Sequence, residues 1–436
     1  MTVGVIVAVE HHLEAEMVTA IDASRSLEVV RRCADSAELL STAAAGIADL
    51  AVVSPGFRGV DKEALRALAG LGVVVAGVVA AGDGEGEARL RQLGVATVLV
   101  GGEGIADLES LGDGRSGPPG WFPEGIDLGG LSGARPSSAA LGGPDSDLHA
   151  LPGARPGRVV AVWGPTGAPG RITVASSLAS VLASRGVSAL VIDLDTWGAS
   201  VAQVLGLVDE APALAAAARA AEHGTLDLAV LSRLSPEVSP RLRVITGLPA
   251  AHRWPEARAA AVEEIIGLAR GLAQVVVLDC GFAIEDDEEL SYDTAAPRRN
   301  AATLSALGES DEVLLVGAAD PIGLQRLVRA SAAIGSVPSP SPVVVVNKVR
   351  SGVAGPHPER AIHDVLARFA GLDDLLFIPW APEECDGALL AGRAVAELHP
   401  RGALAHALER VADRLLPQSA AVSAGGGGRR RRWRRR

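Results

Sequence analysis

Short apolar runs alternate with amphipathic segments twice along this 436-residue chain. In residues 1–102 the runs Val3–Val9, Leu27–Val30, Asp49–Ser54, Val73–Ala80 and Ala96–Val100 predict strands. The intervening stretches Leu13–Ala23, Ser36–Ala45, Lys62–Leu71 and Gly86–Leu93 predict helices. Strands that alternate with helices build parallel, doubly wound sheets, because each crossover lays a helix on one face. A second alternation begins at Arg158 and runs to about Leu416. The expected fold class is therefore α/β: a smaller doubly wound domain, then a larger, mostly parallel sheet flanked by helices. Residues 103–156 are dense in Gly, Pro and Ser and predict a flexible linker, since they cannot bury enough apolar area to offset their ordering entropy. The expected division is thus 1–102, linker 103–156, second domain 157–416 and a disordered Arg-rich tail 417–436.

Composition changes this picture little. Hydrophobic residues make up 48% of the chain and charged residues 21%, so a buried core is available. Aromatic residues are only 3%, so that core must be aliphatic. The last eight residues, RRRRWRRR, hold seven arginines. With those seven removed from a net charge of −12, the remainder stands at −19, an acidic body with one basic arm. Cys33, Cys280 and Cys385 lie far apart with no C-x-x-C, which predicts neither a zinc site nor a disulfide framework. The N-terminus lacks a signal-peptide pattern, and Gly72–Gly82 is too short to span a bilayer. A cytoplasmic protein is expected, with peripheral contact to a membrane open through the Arg429–Arg436 tail.

The chemistry concentrates in the second alternation. Arg158–Gly186 reads as an apolar strand, the loop GPTGAPG and an amphipathic helix. Glycine lets backbone N–H groups approach an anion at a helix N-terminus, so this is the context a phosphate-binding loop requires. Gly167, Ala168, Gly170, Arg171 and Thr173 are the candidate ligand contacts. The strict pattern G-x-x-x-x-G-K-[ST] is not met: Pro165, Arg171 and Ile172 stand at its first Gly, its Lys and its Ser/Thr. A Gly-rich turn without a ligand is the bland alternative. Two later strands end in carboxylates, at Asp193 and Asp195 in LVIDLD and at Asp279 in VVVLDC. Such positions suit magnesium and water-handling carboxylates beside a phosphate loop.

In this order the motifs resemble the MinD/ParA/CpaE family of P-loop ATPases. TGAPGRIT is similar to that family's deviant loop K-G-G-x-G-K-T-T, matching at Gly167, Gly170 and Thr173. The family's first Lys falls on Thr166, its P-loop Lys on Arg171 and its magnesium-binding Thr on Ile172. The resemblance implies ATP and Mg2+ as cofactors, with Asp193 and Asp279 orienting the metal, Arg171 neutralising phosphate and Asp195 positioning water. VVVVNKVR places Asn347 at the family's base-contacting Asn, and FIPWAP places Pro379 beside the adenine. Residues 1–102 resemble a receiver domain, with Ser54 at the phosphoacceptor position and Gly101-Gly102 where its Lys would follow the fifth strand. A receiver-like domain ahead of a MinD-like one points to the CpaE/TadZ branch, involved in pilus assembly or septum-site determination.

That resemblance implies an ATP-binding positioning or assembly factor that acts as a homodimer, with a pilus, secretion or division-machinery protein as partner. Arg171 and Ile172 predict weak or slow hydrolysis. Two alternatives stay open: a nucleotide-free scaffold and a ParA-like DNA-partitioning protein. The Arg-rich tail could serve an anionic membrane or nucleic acid electrostatically, or be a solvated arm. Glu285–Asn300 reads as an acidic run closed by Arg298 and Arg299, either a solvated loop or a switch insert.

Overall fold

The computed structural model describes residues 2–102, 104–113, 156–207, 212–285 and 297–416. The chain divides into two compact units, each built on its own parallel or mostly parallel sheet.

The first sheet comprises β1 (Val3–Ala8), β2 (Leu27–Arg32), β3 (Leu50–Val53), β4 (Val74–Val79) and β5 (Thr97–Val100). Its order is β2-β1-β3-β4-β5, parallel throughout, the doubly wound arrangement that the alternation predicts. Side chains alternate between faces with period two. Val5 and Val7 join one core with Leu13, Met17 and Ile21 of α1 (His11–Ala23), while Ile6 and Ala8 join the other. That second core takes Leu39 from α2 (Ser36–Ala44), Leu65 and Leu68 from α3 (Lys62–Gly70) and Leu90 from α4 (Gly84–Gln92).

A fifth helix, α5 (Ile105–Asp113), lies inside the segment that composition assigns to a linker. Leu108 is fully buried in the core beside Val5 and Val7, with Ile105 and Leu111 packed against it. The three apolar residues sit three apart on one helix face, so a short stretch ahead of the Gly/Pro-rich run does find apolar area to bury. Residues 114–155 and 417–436, with the rest of the linker and the Arg-rich tail, lie outside the described residues.

From Arg158 the chain runs β6 (Arg158–Trp163), α6 (Arg171–Ser184), β7 (Ala189–Leu194), α7 (Val201–Val204), α8 (Ala213–Glu222), α9 (Leu228–Leu234), β8 (Glu237–Ser239) and β9 (Leu242–Ile245). It continues through α10 (Ala259–Ala269), β10 (Val275–Cys280), α11 (Ala301–Gly308), β11 (Glu312–Ala318), α12 (Pro321–Ile334) and β12 (Val343–Val349). The remainder is α13 (Ser351–Ala354), α14 (Pro358–Ala370), β13 (Leu375–Pro379), α15 (Pro382–Ala391), α16 (Val395–Leu398) and α17 (Ala403–Leu415).

The second sheet has the order β13-β12-β11-β6-β10-β7-β9-β8. All its pairings are parallel except β8 with β9. Both faces are buried, which explains the unbroken aliphatic runs of β6, β10 and β12. On one face α6 and α17 pack through Leu178, Leu182, Leu408 and Val411 onto Val160, Val162, Val191 and Val277. The order reverses at β6, which pairs with β10 on one side and β11 on the other. In open α/β sheets ligands bind at the carboxyl ends of strands at such a reversal. The loop after β6 occupies that place. Among the described residues no helix is long and apolar enough to cross a membrane.

Candidate phosphate-binding site

Three local constraints shape the loop between β6 and α6. Gly164 must be glycine, because a Cβ there would press into the Val316 carbonyl oxygen of the adjacent β11. Gly167 (φ +103°) and Gly170 (φ +100°) adopt left-handed backbone that side chains rarely take, and Ala168 joins them at φ +51°. Gly170 is the N-cap of α6. The first turn leaves the N–H groups of Arg171, Ile172 and Thr173 without intrahelical acceptors, while Val174 already bonds to the Gly170 carbonyl. Unpaired N–H groups and the positive end of the helix dipole thus lie behind a glycine-lined turn.

Three cationic side chains grip this loop through its carbonyls. Arg171 Nη1 donates to the Gly164 and Pro165 carbonyls at 3.2 and 3.4 Å. Lys348 Nζ donates to the Ala168 carbonyl at 2.7 Å. Arg326 Nη1 donates to the Thr166 carbonyl at 3.3 Å. Asn347 adds a neutral clamp: its Nδ2 donates to the Pro169 carbonyl (2.8 Å), and its Oδ1 accepts the Lys348 N–H (2.8 Å). The residue expected to contact adenine therefore holds the loop with its Nδ2, while its Oδ1 is taken by the neighbouring backbone N–H. Lys348 is held at φ +62°, a strained conformation for a non-glycine residue. Trp380, next to Pro379 at the end of β13, lies under Lys348 Nζ and the Arg350 guanidinium at 5.6 and 5.5 Å from the ring centre.

The carboxylates converge on Arg171. Asp195 Oδ2 accepts Arg171 Nη2 at 3.1 Å, and its Oδ1 accepts the N–H groups of Trp197 and Gly198. Asp193 is fully buried; its Oδ1 accepts the Asp195 N–H, and its Oδ2 accepts the N–H groups of Ser200 and Val201. Burial pushes Asp193 up to about 7, with the Asp195 charge adding to the effect against those three hydrogen bonds. Asp279, opposite Asp193 across the β10–β7 ladder, is pushed well above the usual carboxylate range, first by burial and then by the charge of Asp193. Its Oδ1 is buried and unpaired.

These shifts have a sign for stability. A carboxyl whose folded pKa is raised stabilises the fold fully below its unfolded value of about 3.9 and loses that contribution as pH rises through the folded value. For Asp193 the loss spans roughly pH 4 to 7. An Asp279→Asn variant keeps the shape without the charge. Its melting temperature relative to wild type is expected to rise from pH 5 to pH 8, reaching several degrees above wild type at pH 8. A difference that shrinks over that range would contradict the burial argument.

Magnesium does not fit this donor set. The cation requires oxygen ligands, yet Ile172 stands at the expected hydroxyl position and packs against the core beneath α6. Both oxygens of Asp193 are bound to backbone N–H groups and Asp195 is engaged by Arg171, which leaves Asp279 Oδ1 as the unpaired carboxylate oxygen of this set. Among the described residues no group of three or more His, Cys, Asp or Glu side chains is placed to hold a metal ion.

The sequence reading singled out Arg171, Asp193, Asp195 and Asp279, and they come together. It missed Lys348 and Arg326. Lys348 carried a signal, since the chain has only two lysines, Lys62 and Lys348. Arg326 is one of many arginines and carried none. Arg299, at the end of the acidic run, bonds to Thr196 and lies 3.7 Å from the Trp197 ring centre, so it braces the segment that follows Asp195. In the first unit Ser54 is buried and accepts the Glu10 N–H at 2.8 Å. The Glu10 carboxylate turns onto the Gly56 N–H at 3.0 Å.

The sheet and the loop define an α/β domain with a glycine-lined turn at the strand-order reversal. No family profile matches the chain, and no curated protein matches it. Solved structures similar to it include the cell division ATPase MinD of Pyrococcus furiosus (19% identity over 59% of this chain and 98% of that one, TM-score 0.47). A ParA family ATPase of Chlorobium tepidum matches at 18% identity over 58% and 98%, TM-score 0.48. The septum site-determining protein MinD of Pyrococcus horikoshii, complexed with Mg-ADP, matches at 18% over 60% and 97%, TM-score 0.47.

Proposed function

We propose that this chain is an ATP-binding positioning or assembly factor, similar in kind to the MinD/ParA ATPases, with slow or negligible hydrolysis. The observation that carries the reading is the left-handed turn Gly167–Gly170 at the head of α6, ringed by Arg171, Lys348 and Arg326. Backbone N–H groups and three cations around a glycine turn suit a polyphosphate. Slow turnover follows from the same geometry. Asp195, which would orient a water, is tied to Arg171, and Thr166 supplies no charge to the transferred phosphoryl group. Binding would require Arg171 to exchange the Asp195 carboxylate for phosphate oxygens. That exchange would free Asp195 Oδ2 ahead of the Trp197 segment, a switch by which nucleotide could govern dimer formation.

The finer reading is a CpaE/TadZ-like factor for a pilus or septum machinery, acting as a homodimer. It is supported by a β2-β1-β3-β4-β5 sheet ahead of the nucleotide domain, and by Ser54 at the phosphoacceptor position. A buried Ser54, with Glu10 closed onto Gly56, suits a contact module that takes no phosphate. One observation favours a second reading, the nucleotide-free scaffold: both terminal nitrogens of Arg171 are already engaged within the chain, on Gly164, Pro165 and Asp195, and only its buried Nε lacks a partner.

The deciding experiment is an equilibrium titration of the full chain with a ribose-labelled fluorescent ATP analogue. Saturable binding in the low micromolar range, competed by unlabelled ATP, is the expected result. No binding at hundreds of micromolar would leave the scaffold reading.

A further inference from the structure

We infer that the site takes its polyphosphate without a divalent cation, the charge being balanced by Arg171, Lys348 and Arg326. This rests on the nucleotide reading above and specifies the form of the ligand. Two features of the site point to this. First, of the side chains expected at the metal only Asp279 keeps an unpaired oxygen, its buried Oδ1. Ile172 packs on the core instead of offering a hydroxyl. The Asp193 carboxylate accepts three backbone N–H groups, from Asp195, Ser200 and Val201. Asp195 accepts Arg171 on one oxygen and two backbone N–H groups on the other. A metal on these oxygens would compete with the hydrogen bonds that fix the turn after β7.

Second, positive charge is supplied three times over at the loop itself. Arg171 reaches the carbonyls of Gly164 and Pro165, Arg326 that of Thr166 and Lys348 that of Ala168. Four of the loop's carbonyls are thereby drawn toward cationic side chains, which leaves its N–H side for an anion. Arg326 lies so close under Gly167 that a Cβ there would meet its guanidinium, so glycine at this position also admits the arginine. A magnesium-dependent site gains charge neutralisation from the ion; this one carries it in side chains. Guanidinium forks also match phosphate oxygens bidentately, as a single ammonium cannot.

The test is titration of the full chain with the fluorescent ATP analogue in excess EDTA and, in parallel, in millimolar magnesium. The expected result is an apparent Kd in EDTA no more than about threefold weaker than with magnesium, rising steeply with salt as side-chain charges require. The variants Lys348→Gln and Arg326→Gln, at half-buried positions, should each weaken binding about three- to tenfold in EDTA, with little change in melting temperature. Binding at least tenfold tighter with magnesium would overturn the inference while leaving nucleotide binding intact. Absence of binding in both buffers would overturn the nucleotide reading itself. Unchanged affinity in both variants would overturn the assignment of the charge to these residues.

Discussion

Replacing Arg171 with Ala is expected to weaken binding of the ATP analogue by about 100-fold or more. The side chain is only 13% exposed and spans the site, from the Gly164 and Pro165 carbonyls to Asp195. Charge-assisted hydrogen bonds contribute about 1.5–3 kcal/mol each, so loss of two to a phosphate corresponds to at least about two decades in affinity. Electrostatics adds to this. Without Arg171 the incoming phosphates meet the Asp195 carboxylate with its counter-charge removed. Arg171→Lys should fall between the two, because it keeps a point charge and loses the fork. Parallel melting curves separate loss of binding from loss of folding. An Arg171→Ala variant that melts as wild type and binds as wild type would remove Arg171 from the phosphate site.

The largest stability effect is expected at Gly164→Ala, a destabilisation of about 3 kcal/mol or more, at the top of the range for overpacking. The added methyl would press on the Val316 carbonyl, which is backbone and cannot rotate away. Relief would require β6 and β11 to part just beyond the register Leu315↔Trp163, in the middle of the buried sheet. For a domain of this size that corresponds to a fall of roughly 6–12 °C in melting temperature. The control is Gly198→Ala in the turn after Asp195, where an added Cβ meets nothing within 4 Å. Equal melting temperatures for the two variants would show that the strand approach at Gly164 is not tight. Because the same displacement would tilt the loop, Gly164→Ala should also impair analogue binding at temperatures where it remains folded.

Much of this protein follows from its sequence alone. Aliphatic runs such as VVAVW and VVVLDC predict strands buried on both faces, because in so aliphatic a stretch only a doubly covered parallel sheet leaves no face in water. The order of glycine turn, paired Asp and single Asp placed the chemistry at three strand ends, since strand-end residues in a parallel sheet gather on one edge. The extent of α5 was not legible, because Ile105, Leu108 and Leu111 stand next to a Gly/Pro-rich run whose composition dominates the reading. Burial of Leu108 is decided by what it packs against.

Only the tertiary structure decided how the site is wired. A motif gives the residue types near a phosphate and not their hydrogen-bond partners. That Asp193 is consumed by backbone N–H groups depends on the path of the chain through Ser200 and Val201. That Asn347 clamps Pro169 depends on contact between residues 178 apart in sequence. Arg326 and Lys348 reach the loop because β11 and β12 lie on the β6 side of the sheet, an adjacency set by strand order. Local sequence thus determined the elements and the position of the glycine turn through periodicity and backbone sterics. The long-range packing of those elements determined which charges meet there, because electrostatic partners are chosen by distance in space.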